Sequence, residues 1–250
     1  MHSSMPPLIL FLAALCAGCQ NALAGGGSFL TLPALIFTGM DARAANITST
    51  VALFPSQVTT GLQGRRHATG AAGLSLKMLV GISLVGGGVG AALLLLTPSA
   101  IFARMVPWLV LFATAMFAWG SFGPKRQDGT ARLGTLGAGV AQFCISIYGG
   151  YFGGGIGFLM LAALTAANVA IRPAAAIKNV LGAMMNASAV AIFIFSPEVH
   201  WSQMLVVCVG SVIGGYIGAL MLSLVNEKAL RVFVILLGVA LTIGLFVRSL

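Results

Sequence analysis

Two stretches of this chain, residues 3 to 40 and 133 to 171, contain no Lys, Arg, Asp or Glu, and each carries a glycine run inside it. As one straight helix either would reach about 60 Å at 1.5 Å per residue, roughly twice the hydrocarbon thickness of a bilayer. Each must therefore fold back at its glycines, giving one full helix followed by a short arm of roughly 11 to 15 residues. Only 7% of the side chains are charged and 59% are hydrophobic, whereas soluble domains carry roughly a quarter charged residues. Lipid, not water, is the solvent for most of such a chain, and the spacing predicts further helices near 44–64, 75–96, 101–122, 173–196, 201–224 and 229–248.

The alternation of a transmembrane barrel is absent, so the predicted fold is an all-α polytopic membrane protein of about 8 to 10 membrane segments. Thirteen Lys and Arg against four Asp and Glu give a net charge of +9. In a membrane chain that excess marks cytoplasmic loops and gives no reason to expect nucleic acid as a partner. Cys16, Cys144 and Cys208 sit in apolar runs, and Cys16 with Cys19 makes a CxxC on a membrane helix, where small apolar packing residues are the expected reading. Residues 6 to 24 end in Ala22-Leu23-Ala24 like a signal peptide, yet no Lys or Arg precedes them and a matching segment recurs in mid-chain. They are read as a retained helix.

The recurrence extends over the whole sequence. Gly25-Gly26-Gly27-Ser28-Phe29-Leu30 and its apolar continuation return as Gly153-Gly154-Gly155-Ile156-Gly157-Phe158. At an offset of about 129 residues Arg43 falls on Arg172, Gly86 to Ala91 match Gly214 to Ala219, and Arg104 falls close to Arg231. Landmarks in one order at one offset mark an internal duplication, with a first repeat at 1–124, a linker at 125–132 and a second repeat at 133–250. With each short arm counted as a crossing, each half crosses the membrane five times, an odd number, so the second repeat is expected upside down relative to the first. Loop charge agrees: the 62–77 loop carries Arg65, Arg66 and Lys77, whereas its counterpart at 196–201 carries only Glu198. The first is expected in the cytoplasm with the basic linker, the second outside with both termini. Inverted repeats with paired glycine-interrupted segments are a common architecture of secondary transporters, with the binding site near the midplane.

The GGG-to-Pro33 segment, the Ala45-Asn46-Ile47-Thr48-Ser49 stretch and their second-half echo resemble the sulfite exporter TauE/SafE family, also called the toluenesulfonate uptake permease family. The resemblance covers nearly the whole chain. It implies movement of sulfite, organosulfonates or related sulfur-containing anions across the bacterial inner membrane. In the second half Ala162 stands where the family's proline would, and Lys178-Asn179 where its Thr-Ser would.

Glycine breaks inside a membrane free backbone N–H and C=O groups, and arms that start after Gly25-Gly26-Gly27 and Gly153-Gly154-Gly155 present positive helix ends to an oxyanion. Gly86 with Gly90, and Gly214 with Gly218, have GxxxG spacing inside uninterrupted helices and are read as packing contacts. One helix after each arm, polar side chains cluster: Asn46, Thr48, Ser49, Thr50, Ser56 and Gln57, then Lys178, Asn179, Asn186 and Ser188. Hydroxyls and amides can donate to sulfonyl oxygens, although Ser and Thr in membrane helices also bond their own backbone. Lys178 lies well inside its helix, where an ammonium is costly unless it lines a cavity, meets an anion or snorkels to the headgroups. Arg43 and Arg172, at helix starts, are read as interface anchors.

Asp41, Asp128, Glu198 and Glu227 all fall at expected loops, which disfavours a carboxylate proton relay. His2, His67 and His200 form no paired or HExxH pattern, so no metal, cofactor or enzymatic centre is expected. The expectation is a non-enzymatic secondary transporter that exports a small anionic substrate, embedded in the lipid bilayer. A scaffold or assembly subunit is the alternative, a membrane enzyme a weaker one, and association into a homodimer is left open.

Overall fold

The computed structural model describes residues 7–23, 26–122, 134–221 and 227–249. Gly25 and the 125–132 linker lie outside them. The described residues form helices and no strand: α1 Pro7–Leu23, α2 Ser28–Phe37, α3 Ala42–Gly64, α4 Leu76–Leu96, α5 Ser99–Phe122, α6 Thr135–Tyr151, α7 Ile156–Ala166, α8 Ile171–Phe193, α9 Trp201–Met221 and α10 Glu227–Ser249. Leu76–Leu96, Ser99–Trp119, Pro173–Phe193 and Trp201–Gly218 are long and apolar enough to cross a bilayer. The fold is that of an all-α polytopic membrane protein.

Both uncharged stretches turn at their glycines. The arms α2 and α7 are 10 and 11 residues long, so the first is a little shorter than expected. Each arm ends just before a left-handed backbone position, Gly39 at φ 89° and Asn168 at φ 60°, which the α-helix cannot accommodate. The following helix then restarts, α3 on an Asp41 N-cap that accepts from the N–H groups of Arg43 and Ala44.

Gln57 and Asn186 bond to each other across an interval of 129 residues. The same interval carries Ala42–Gly64 onto Ile171–Phe193, both 23 residues long, Gly26 onto Gly155, and Gly39 onto Asn168. Packing follows the same exchange. Helix α1 lies along α9 as α6 lies along α4, α3 meets α9 as α8 meets α4, and α3 and α8 cross each other. Glycines create these crossings: a methyl group at Gly214 would run into the Leu15 carbonyl, one at Gly18 into the Ser211 carbonyl, one at Gly90 into that of Ile147 and one at Gly150 into that of Gly87. The GxxxG pairs are thus close-packing sites. Helix α1 is an integral part of the bundle, with Cys19 Sγ donating to the Gly214 carbonyl at 3.0 Å.

At one end of the bundle three connections meet. Arg43 Nε donates to Glu198 Oε2 at 2.9 Å and its Nη1 to the Thr97 carbonyl at 2.6 Å, while Ser99 Oγ donates to Asp41 Oδ2 at 3.0 Å. Arg43 thus ties the start of α3 to the connections on either side of it. The Arg65, Arg66 and Lys77 segment lies at the other end of α3, where Gly64 packs on Ala176 near the start of α8.

Candidate functional site

Between the two glycine breaks and the α3/α8 crossing lies a narrow cleft. Its wall is built from Asn21 at the end of α1, Gly26 and Ser28 at the first break, Gln57 and Thr60 of α3, Gly153, Ile156, Gly157 and Met160 at the second break, and Lys178, Asn179, Gly182, Ala183 and Asn186 of α8. The α8 residues recur at intervals of one turn, so a single helical face supplies the lysine and two amides. A second, much smaller cavity, lined by Phe29, Leu32, Pro33, Ile36, Val110, Leu241 and Leu245, is wholly apolar and offers no chemistry to an anion.

The backbone at the breaks is left-handed at Gly26 (φ 83°), Gly153 (φ 77°) and Gly155 (φ 74°), positions that favour glycine. Neither α2 nor α7 is capped by a side chain. Ile156 and Gly157 at the start of α7 line the cleft, which places the positive end of that helix dipole beside it. Lys178 reaches the same place. A methyl group added at Gly157 would stand 3.3 Å from Lys178 Cδ and 3.6 Å from its Nζ, so the absence of a side chain at Gly157 gives the lysine its room. Lys178 is half-buried, and it is the one charged side chain among the residues lining the cleft. Among the described residues the ion pair is Arg43 with Glu198, at the distant end of α3, and no carboxylate answers Lys178.

The other site candidates separate into two groups. Gln57, Asn179 and Asn186 join Lys178 in the cleft, with Asn186 Nδ2 donating to Gln57 Oε1 at 2.6 Å. Asn46, Thr48 and Ser49 are turned elsewhere and hold the fold. Asn46 Nδ2 donates to the Tyr151 carbonyl freed at the end of α6 (3.1 Å). Thr48 Oγ1 accepts from the His200 N–H (3.2 Å) and donates to the Glu198 carbonyl (3.4 Å). Ser49 shares a 2.6 Å hydroxyl bond with Thr31, both fully buried. Thr50, Ser56 and Ser188 bond carbonyls of their own helices. Of the glycines, Gly26 and Gly153 line the cleft, whereas Gly27 packs on the Ala17 carbonyl, Gly154 on Phe152 and Gly155 on Ala113. Asn21, Ser28, Thr60 and Gly157 also line the cleft and were not singled out from the sequence. Thr60 follows Gln57 by one turn, and the 129-residue interval carries Ser28 onto Gly157, so both carried a readable signal.

The model of the sulfite exporter TauE/SafE family matches residues 10–245 of the chain. The chain belongs to this family. A probable membrane transporter protein of Haemophilus influenzae is 30% identical over 240 residues, spanning 94% of this chain and 92% of the relative. The probable membrane transporter protein YfcA of Escherichia coli K12 is 27% identical over 248 residues, 96% and 90% of the two chains. A third relative, the probable membrane transporter protein ORF9 of a Sinorhizobium species, is 28% identical over 247 residues. No solved structure matches. With its apolar helices this TauE/SafE member is a multi-pass bacterial membrane protein of transporter type.

Proposed function

We propose that this TauE/SafE member carries small sulfur-containing anions, sulfite or organosulfonates, out of the cytoplasm through the cleft between its glycine breaks. The observation that carries the reading is the Lys178 ammonium held against the uncapped start of α7 in a cleft without an acidic side chain. An ammonium and a helix N-terminus attract an oxyanion together, and amides and hydroxyls around them can replace part of its hydration shell. No chemical conversion of the substrate is needed.

The helix exchange and the two equal breaks support two repeats, 1–124 and 133–250, inverted in the membrane. In that orientation the Arg43–Glu198 end is external and the Arg65, Arg66 end cytoplasmic, in keeping with the positive-inside rule. The cleft takes Thr60, Lys178 and Asn179 from the cytoplasmic side of the α3/α8 crossing, and the Arg43–Glu198 tie lies at the opposite end of α3. An anion leaving a negative interior gains about 2.3 kcal/mol per charge per 100 mV, so export needs no coupling carboxylate. The test is flux from reconstituted vesicles under an imposed potential, with sulfite, sulfoacetate, taurine, sulfate and thiosulfate compared. Sulfite or sulfonate efflux that rises with the potential is the expected result. Equal leakage with and without the protein for every anion would refute the reading.

A further inference from the structure

Exposure falls along the α3/α8 crossing from one end to the other. Of the residues that line the cleft, Thr60, Gln57, Lys178 and Asn179 are half-buried, whereas Asn186 and, further along α3, Ser49, Thr48 and Asn46 are at most 2% exposed. The cleft is therefore more open toward the end read above as cytoplasmic and sealed toward the end read as external. The seal is polar, and it joins the two repeats. Arg43 of the first repeat donates from Nε and Nη2 to both carboxylate oxygens of Glu198 in the second, Asn46 Nδ2 donates to the Tyr151 carbonyl, and Thr48 Oγ1 accepts from the His200 N–H. The opposite end cannot build the same seal. The 129-residue interval places Ala175 and Ile177 at the positions of Asn46 and Thr48, and the 65–75 connection, which corresponds to 194–200, holds no Asp or Glu.

A carrier built from inverted repeats exposes its site to each side in turn by rocking one repeat against the other. Release to the outside then requires this seal to part, which breaks an ion pair and two hydrogen bonds between the repeats. Resting on the transport reading above, we propose that Arg43, Asn46 and Thr48 with their partners Glu198, Tyr151 and His200 form the external gate, latched shut while the cleft faces the cytoplasm. Because the latch exists at one end only of the repeat pattern, it weights the equilibrium toward the cytoplasm-facing state, from which an exporter loads. Arg43, Thr48 and Glu198 do not line the cleft, so loosening the latch leaves the anion ligands in place.

The experiment uses the full-length protein without its native cysteines, with Ser28→Cys as a reporter on the cleft wall, in vesicles of known orientation. The rate of reaction with an impermeant thiol reagent is measured from each side. Ser28→Cys alone is expected to react faster from the cytoplasmic side. Adding Glu198→Gln should raise the external rate about 5- to 30-fold, the shift in equilibrium that losing one half-buried ion pair gives. Glu198→Asp, which keeps the charge, should raise it less, and Thr48→Val, which leaves the His200 N–H without its acceptor, should raise it by a second route. A cytoplasmic-side rate close to that of the parent shows that the cleft is still built. An external rate unchanged in both Glu198→Gln and Thr48→Val, or a parent that reacts faster from outside, overturns the gate and leaves anion transport standing. Absence of sulfite efflux from the unmodified protein overturns the transport reading itself.

Discussion

Replacing Lys178 by Met removes the charge from the cleft and keeps an unbranched stem of similar length. That stem lies over Gly157, where a methyl group would be 3.3 Å from Lys178 Cδ, so a thioether fits the space without displacing α7. Two unit charges 4 Å apart attract by about 4 kcal/mol at an effective dielectric of 20. Lys178 is half-buried in a cleft that admits water, and the α7 start remains after the substitution, so a loss of about 2 to 3 kcal/mol is the better figure. The half-saturating anion concentration should therefore rise about 30- to 150-fold. Initial efflux of sulfite from vesicles, measured against internal concentration at a fixed potential, reads this directly. Lys178→Arg should retain part of the affinity, since the charge stays but the wider guanidinium crowds Gly157. An unchanged half-saturating concentration in Lys178→Met would make the lysine a snorkelling side chain and leave backbone N–H groups with the cleft amides and hydroxyls as the anion ligands.

The glycines should divide by phenotype. Leu at Gly87 or Gly214 drives into a backbone carbonyl and should prevent assembly, whereas Gly26→Leu, at φ 83° on the cleft wall, should insert normally and lose transport; membrane yield and vesicle flux measured together separate the classes. Arg43→Gln breaks a half-buried ion pair and should lower stability in detergent by about 1 to 2 kcal/mol, with anion affinity within about twofold of the parent, as thermal unfolding and efflux will show. Single cysteines at Arg66 and Ser196, in a background without the native cysteines, should react with an impermeant reagent from opposite sides; labelling from one side would overturn the inverted topology.

The fold was readable because it is punctuated by glycines whose role depends little on distant residues. A 38-residue uncharged stretch has to turn somewhere, and Gly26 is where a left-handed residue is available. The site was half readable for a different reason. Lys178, Asn179 and Asn186 share a helical face that spacing alone reveals. Asn46, Thr48 and Ser49 have the same polar character, but Asn46 and Thr48 sit where α6 and the 194–200 connection bring backbone groups that need partners, and Ser49 pairs with Thr31 of α2. Tertiary contacts decide which polar residue ties down a carbonyl and which is left for a ligand, and no local pattern records that choice. Gly157 escaped notice because it contributes space rather than a functional group.

The pairing of α1 with α9 sets a problem of timing. Cys19 and the Gly214 carbonyl it bonds are 195 residues apart in the chain. At about 5 to 20 residues per second of synthesis, α1 waits roughly 10 to 40 s before its partner is made. Throughout that interval Gly18 and the backbone around Leu15, which α9 will cover, face lipid or whatever assists insertion. The first five helices made alone would keep that stripe uncovered, so neither repeat closes its own interior. Assembly finishes only once α9 has been made and docks onto α1.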